Sequence, residues 1–132
     1  RKTLRRRLAD IAAAVRGGIG ESGPRIAVRI SGPVDTMIGP RLADDAEAVV
    51  REAVSNAVRH AGARSITATV TAGECLDIVV IDDGGGIPEG AARSGLRNLE
   101  QRARAYGGTF RVANGAVDGA RGTRLEWSVP IA

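Results

Sequence analysis

The sequence predicts an α/β fold in which one mixed β-sheet is covered by helices on one face. Apolar residues recur at helical spacing in three segments, and in five others they alternate with polar residues as in half-buried strands. The segments follow one another in the order helix, strand, helix, two strands, helix, two strands. This order is typical of a sheet with helices packed on it in a single domain.

The first element is a helix predicted at residues 2–16. Its apolar residues recur at spacings of four, three and four, which places them in one seam: Leu4, Leu8, Ile11 and Val15. Residues 1–16 also carry six basic side chains against Asp10 alone, and no capping signal precedes the helix. We therefore expect residues 1–25 to be a helix and linker that continue a longer upstream segment.

The glycine-rich segment GGIGESGP, residues 17–24, follows this helix. Gly18, Gly20 and Gly23 match the G-x-G-x-x-G spacing of a dinucleotide-binding loop. That motif requires a strand before it and a helix after it, whereas here the helix comes first. We therefore interpret the segment as a linker.

The remaining elements are assigned from the same patterns and from turn residues. They are a strand at 26–31, a loop at 31–40, a helix at 41–61, strands at 65–70 and 76–82, a helix at 96–106 and strands at 109–114 and 123–130. Ser94 is the expected N-cap of the third helix, and Gly107 and Gly108 are expected to end it.

The composition excludes several functional classes. The formal net charge is +4, but the excess of basic residues lies in the first helix, so the chain is not a uniformly basic nucleic-acid binder. Aromatic residues make up 2% of the chain, too few for a platform that stacks single-stranded bases. A single cysteine, Cys75, allows no internal disulfide or zinc site and suits a reducing compartment. No apolar run approaches the length of a membrane span.

A polar row lies beside the core face of the 41–61 helix. The core face itself is Leu42, Ala46, Val49, Val50, Ala53 and Ala57. Glu52, Asn56 and Arg59 follow at spacings of four and three, and His60 falls within the apolar sector. A carboxylate and an amide oxygen one turn apart can hold or orient Mg²⁺. Taken alone, the row also fits a solvated helix edge.

A second unusual stretch is VVIDDGGGIP, residues 79–88. A strand pattern ends there in Asp82 and Asp83, and three consecutive glycines follow. No Gly-Lys-Ser/Thr comes next, so the stretch is not a P-loop. By itself it supports only a turn, in which we interpret Asp83 as a turn-stabilising residue.

Four segments, taken in order, resemble the ATP-binding domain of sensor histidine kinases. REAVSNAVRHA (51–61) resembles its N box, and IDDGGGIP (81–88) resembles its G1 box, D-x-G-x-G. SGLRNLEQRARAYGG (94–108) resembles the G2 region of nitrate-sensor-type members, and GTRLEWSVP (122–130) resembles the closing Gly-Thr strand. The resemblance covers residues 26–132.

This family shares its fold with gyrase-type, Hsp90 and mismatch-repair ATPases. The resemblance therefore implies a two-layer sandwich of a mixed sheet and helices, the Bergerat fold. Within the family, the segment AVVREAVSNAVRHA and the arginine- and alanine-rich composition are similar to those of the haem-containing gas-sensing kinases of mycobacteria.

The resemblance implies roles for the residues around the base. Asp82 would accept a hydrogen bond from the exocyclic amine of adenine, and Gly84 and Gly86 would let the backbone pass close to the base. A carboxylate offers only acceptors and guanine presents a carbonyl at that place, so the site should prefer ATP to GTP. Thr123 would reach the adenine side of the pocket.

The resemblance also implies a metal and phosphate side. Asn56 would be a ligand of Mg²⁺, and Glu52 would be the acid that orients the water of the metal or the incoming nucleophile. Arg59 and His60 match positions that face the phosphates.

A short lid would close over the nucleotide. By resemblance it spans residues 87–95, and Gly95 and Leu96 open the helix that follows it. A helix N-terminus presents free N–H groups, which suit a triphosphate.

As a whole, the resemblance implies the catalytic fragment of a two-component sensor histidine kinase. It would bind Mg·ATP and deliver the γ-phosphoryl group to a histidine on a separate dimerisation domain, for transfer to a response regulator. The one histidine, His60, lies inside the N box, so the acceptor lies elsewhere.

The resemblance carries further expectations about the whole protein. Residues 1–25 would come from the dimerisation region, and residues 26–132 would form the catalytic domain. The domain would be cytoplasmic, with no nucleic-acid or membrane contact. The full-length protein would be a homodimer and this fragment a monomer.

Two alternatives stay open. A stand-alone serine kinase of the anti-sigma-factor type has the same boxes in one domain, and a non-catalytic module would keep the fold without turnover. The basic first helix and the G-L…R-A…G-G pattern favour the sensor kinase. The presence of Glu52, Asn56 and Asp82 argues against loss of turnover.

Overall fold

A computed structural model describes residues 2–19, 23–59, 62–86, 93–114 and 122–131. The elements within these ranges follow the predicted order. They are α1 (Leu4–Ile19), β1 (Arg25–Ser31), α2 (Val34–Met37), α3 (Pro40–Arg59), β2 (Ser65–Ala72), β3 (Cys75–Asp82), α4 (Arg93–Ala105), β4 (Thr109–Asn114) and β5 (Thr123–Pro130).

The five described strands form one mixed sheet in the order β1-β2-β3-β5-β4. β1 and β2 are parallel and are connected through α3, whereas the other neighbours are antiparallel. Buried residues alternate with more exposed ones along β2, β3 and β5. One face of the sheet is therefore covered by helices, and the predicted α/β fold is confirmed.

The core lies between this face and the helices. All six residues of the predicted core face of α3 are buried. Trp127 of β5 is fully buried against α4, and its indole Nε1–H donates to the carbonyl oxygen of Leu99 at 3.0 Å. Such a partner is what a buried indole N–H requires.

Helix α1 packs against β1 and α3. Three residues of its predicted seam, Leu4, Leu8 and Ile11, are buried, and Val15 is partly buried. Arg7 reaches across to α3, where Nε donates to Glu47 at 2.5 Å and Nη2 donates to Asp44 at 2.6 Å. The origin of residues 1–25 in a dimerisation region stays a prediction.

Two expectations about helix N-caps were wrong, namely the absence of a cap before α1 and Ser94 as the cap of α4. Thr3 caps α1, since its Oγ1 accepts a hydrogen bond from the backbone N–H of Arg6 at 3.1 Å. Asp35 of α2 accepts a second one from the N–H of Arg5 at 3.2 Å. Ser94 lies inside the first turn of α4, which begins at Arg93, and is therefore not its N-cap.

The segment predicted as a loop at 31–40 contains the four-residue helix α2. Val34, its first residue, is fully buried, and Ile38 just beyond it is also buried. Burial therefore holds this short turn in place, which local sequence pattern does not indicate. Within the described ranges, no helix is both long and apolar enough to cross a membrane.

We predict that Leu8→Ala lowers the free energy of unfolding by about 2–5 kcal/mol, because it leaves a cavity under α1. Urea unfolding measures this change. Ala13→Ser, on the exposed side of the same helix, is the control and should change stability by at most about 0.5 kcal/mol. A loss for Leu8→Ala no larger than the control's would mean that α1 does not pack on the domain in solution.

Candidate functional site

Asp82 ends β3, and its side chain is buried although it is a carboxylate. Its Oδ1 accepts a hydrogen bond from the backbone N–H of Gly84 at 2.8 Å, and the backbone N–H of Thr123 donates to the same carboxylate. Burial raises the pKa of Asp82 above its ordinary value, the Gly84 bond opposes this, and the charge of Asp83 adds to the increase. Because a carboxylate has about four lone-pair sites, Asp82 retains capacity to accept from a ligand.

The turn after Asp82 is enclosed by the start of β5. Gly84 and Gly86 are buried, whereas Gly85 is exposed. A Cβ on Gly122 would lie 2.0 Å from the carbonyl oxygen of Asp82, so the backbone of Gly122 packs directly on the strand end. The sequence motif includes the Gly-Thr pair at 122–123, but no local pattern indicates that Gly122 packs on Asp82.

Asp83 points to a different place from Asp82. Its Oδ1 accepts the backbone N–H groups of Arg64 and Ser65, at 2.8 and 2.9 Å, and so ties the end of β3 to the start of β2. The bond from Ser65 is the main cause that lowers the pKa of Asp83. Asp83 therefore has the structural role expected for it.

A second group of predicted residues lies where α3 meets α4. The Oε1 atom of Glu52 lies only 1.5 Å from the position that a Cβ on Gly95 would occupy. A larger residue at position 95 would therefore require the Glu52 carboxylate to move from this position. A cleft of about 350 Å³ opens beside this contact and is lined by Arg51, Glu52, Ser94, Gly95 and Asn98, among others.

Asn56 lies one turn after Glu52 on α3 and is 5% exposed. Its Nδ2 atom is buried and has no hydrogen-bond partner among the described residues. A buried unpaired donor is unfavourable, so a ligand that offers an oxygen acceptor would stabilise this position. Leu96 is partly buried and packs against the core.

Other predicted residues lie away from these groups or outside the described ranges. Arg59, the last residue of α3, is exposed and lines a groove of about 710 Å³ between α1 and α3. The cleft beside Gly95 is not lined by Arg59. His60 and residues 87–92 of the lid lie outside the described residues.

Residues 42–132 match the profile of a protein family described as "histidine kinase-, DNA gyrase B-, and HSP90-like ATPase". This chain belongs to that ATPase family. The matched range includes every predicted site residue, from Glu52 to Thr123. Membership of the ATPase family implies that the ligand of the site is ATP.

Named relatives of this ATPase domain include two sensor histidine kinases of Bacillus subtilis (strain 168). The chain is 44% identical to LnrJ over 64 residues, which are 47% of the chain and 16% of LnrJ. It is 34% identical to LiaS over 101 residues, which are 74% of the chain and 27% of LiaS. The chain thus matches about a quarter or less of the length of these proteins.

A solved structure shows the same fold. The histidine kinase domain from the Erythrobacter litoralis EL346 blue-light activated histidine kinase superposes with a TM-score of 0.70 at 25% identity. The match covers 98% of this chain and 61% of that one. The resemblance to sensor histidine kinases is confirmed, and the narrower likeness to gas-sensing kinases stays a prediction.

We predict that Asp83→Ala destabilises the domain by at most about 1 kcal/mol, because two backbone donors lose their acceptor but can reach water. The pKa of Asp83 is lowered in the folded state, so its contribution is present above the unfolded pKa of about 3.9 and is lost as pH falls through the folded value.

Urea unfolding of wild type and Asp83→Ala over a pH series tests this. The stability difference should be constant near neutral pH and narrow under acid conditions. Glu74→Gln, at the exposed β2–β3 turn, is the control and should show no difference at any pH. A difference that persists undiminished in acid would rule out the ionised carboxylate as the stabilising species.

Proposed function

We propose that this chain is the catalytic, ATP-binding domain of a two-component sensor histidine kinase, with Asp82 as the residue that reads the base. The observation that carries the proposal is the buried carboxylate of Asp82, which is held by two backbone N–H groups and has acceptor capacity left. No cation acts on this carboxylate among the residues that the structure describes. Burial without a countercharge is unfavourable for a carboxylate, which suggests a ligand rather than a purely structural role.

Adenine fits this acceptor because its exocyclic amine is a donor. Guanine would place a carbonyl oxygen against the same carboxylate, so discrimination comes from repulsion as well as from attraction. Gly84 and Gly86 leave no side chain between the turn and a base. Thr123, opposite Asp82 in the sheet, closes the same end of the pocket.

Asn56 and Glu52 would serve the triphosphate and Mg²⁺. The unpartnered Nδ2 of Asn56 would donate to a phosphate oxygen, and its Oδ1 would be the atom that ligates Mg²⁺. Glu52 lies one turn away on the same helix. The described residues contain no group of three or more acidic, histidine or cysteine side chains that is arranged to hold a metal ion. Mg²⁺ held mainly by phosphates and water needs only one or two protein ligands, so Asn56 and Glu52 are sufficient. When bound, the ion would neutralise charge on the phosphates.

The first turn of α4 would complete the phosphate side. Its N-terminal N–H groups favour negative charge, and Gly95 brings this turn directly against Glu52. In this arrangement Glu52 orients the nucleophile, and Asn56 and the first turn of α4 position the phosphates. Contributions of Arg59 and His60 to phosphate binding stay predictions.

Phosphoryl transfer requires mainly positioning and charge neutralisation, so the acceptor can lie on another domain. We propose a histidine on a dimerisation domain as the acceptor and a response regulator as the next partner. The names of LnrJ and LiaS support this choice over a serine kinase of the anti-sigma-factor type or a non-catalytic module. The cytoplasmic location and the homodimeric full-length protein are part of the same proposal.

We predict that the wild-type chain binds ATP in preference to GTP, and that Asp82→Ala weakens ATP binding about tenfold to a hundredfold. The lost bond to a charged acceptor is worth about 1.5–3 kcal/mol. Titration calorimetry with both nucleotides measures this. The control is Glu74→Gln, which changes an exposed carboxylate at the other end of β3 and should leave ATP affinity unchanged. Equal affinities for both nucleotides in wild type and Asp82→Ala would remove the proposed site.

A further prediction concerns the acceptor. The isolated chain should bind Mg·ATP but form no phosphohistidine, because its one histidine lies in the ATP-binding N box. Incubation with γ-labelled ATP, followed by acid and alkali treatment, distinguishes phosphohistidine from phosphoserine. Label on wild type that resists alkali, is lost in acid and disappears in His60→Gln would contradict a separate acceptor domain.

A further inference from the structure

Helix α4 is fixed to the sheet at its C-terminal end. The N–H of Gly108 donates to the carbonyl oxygen of Ala103, and the N–H of Gly107 donates to that of Arg104, both at 2.9 Å. These two bonds form a Schellman cap. A Cβ on Gly108 would lie 2.1 Å from the carbonyl oxygen of Ser128, so the cap packs directly on β5.

Tyr106 stands at this cap and connects α4 to α3. Its hydroxyl donates to Oδ2 of Asp45, and Nη1 of Arg102 donates to Oδ1 of the same carboxylate at 2.5 Å. One carboxylate on α3 therefore holds two residues from the end of α4. Burial, followed by the bond to Asp45, raises the pKa of Tyr106 to about 12, so the hydroxyl keeps its proton at neutral pH.

This cluster is partly enclosed, since Arg102 is 35% exposed and lines a groove together with Asp45. The side chain of Asp45 is 16% exposed. The ring of Tyr106 meets Trp127 edge to face, with centroids 6.4 Å apart, and the guanidinium of Arg41 lies 5.4 Å from the ring centre. Charged hydrogen bonds in such surroundings are stronger than exposed ion pairs.

The same two helices meet again at the phosphate side, where Glu52 contacts Gly95. Asp45 precedes Glu52 by seven residues on α3, and Arg102 follows Gly95 by seven residues on α4. The helices are therefore antiparallel and touch at two points about two turns, or about 10 Å, apart. Two contacts at this separation set both the distance and the angle between the helices.

We propose that Asp45 is a positioning residue for the triphosphate, because by holding Arg102 and Tyr106 it sets the place of the first turn of α4 relative to Asn56 and Glu52. This inference rests on the proposed function. Arg102 lines the cleft beside Glu52 and Gly95, but Asp45 itself does not. Its effect would come through geometry, and a misplacement of about 1 Å at a reacting centre can reduce a rate by about a hundredfold.

Binding measurements with two ligands test this role. Asp45→Asn removes the charge, and Tyr106→Phe removes one hydroxyl while keeping the ring against Trp127. The affinities are measured for Mg·AMPPNP, a non-hydrolysable ATP analogue, and for adenosine, which has no phosphate. We expect about tenfold weaker AMPPNP binding in each variant, equivalent to about 1.4 kcal/mol, and unchanged adenosine binding because Asp82 is untouched.

Glu100→Gln is the matched control, since it removes an exposed ion pair with Arg104 on the same helix. It should change neither affinity. Urea unfolding confirms that each variant is folded, and Tyr106→Phe decides the matter if Asp45→Asn does not fold. A purely structural network would weaken both ligands equally or neither, and either result overturns the inference.

The same binding measurements would give a different result if the proposed function itself were wrong. Wild type that binds neither AMPPNP nor adenosine would overturn the proposed function and this inference with it. Failure of the positioning role alone leaves wild-type binding of both ligands intact.

Discussion

The packing of the Gly122 backbone on the end of β3 is the constraint on which the candidate nucleotide site depends. It places the start of β5 against Asp82 with no side chain between them. β3 is paired with β2 on its other side, and Asp83 fastens that pairing at the same end. The position of Asp82 is therefore set by the sheet rather than by a free loop, which suits the base-reading role proposed for it.

The site combines groups that a purely structural protein would avoid. Asp82 is a buried carboxylate, and Asn56 has a buried donor without a partner among the described residues. Each is unfavourable in the absence of a ligand. The surrounding core of Val, Ile, Leu and Trp127 provides stability that offsets the cost of burying these two polar groups. Such local violations of the rules of packing are expected at functional sites.

Much of this fold could be predicted from the sequence, because its elements carry local periodic patterns. The core face of α3 and the five described strands are examples, and the ordered motifs pointed to the residues of the candidate site. What could not be predicted depends on distant partners. Asp45 and Tyr106 are 61 residues apart, and no local pattern relates them. The same holds for Asp35, which accepts a hydrogen bond from the backbone N–H of Arg5, 30 residues away. Thr3 was missed for another reason, since a lone threonine in a basic run is a weak capping signal.

The contact between Glu52 and Gly95 has a consequence for how this domain can vary. Glycine in a helix is less favourable than alanine by up to about 1 kcal/mol, so local stability favours alanine at position 95. A methyl group there would overlap the carboxylate of Glu52. Helix stability therefore favours alanine at position 95, whereas the contact with Glu52 favours glycine, so a more stable helix would displace the carboxylate proposed to orient the nucleophile.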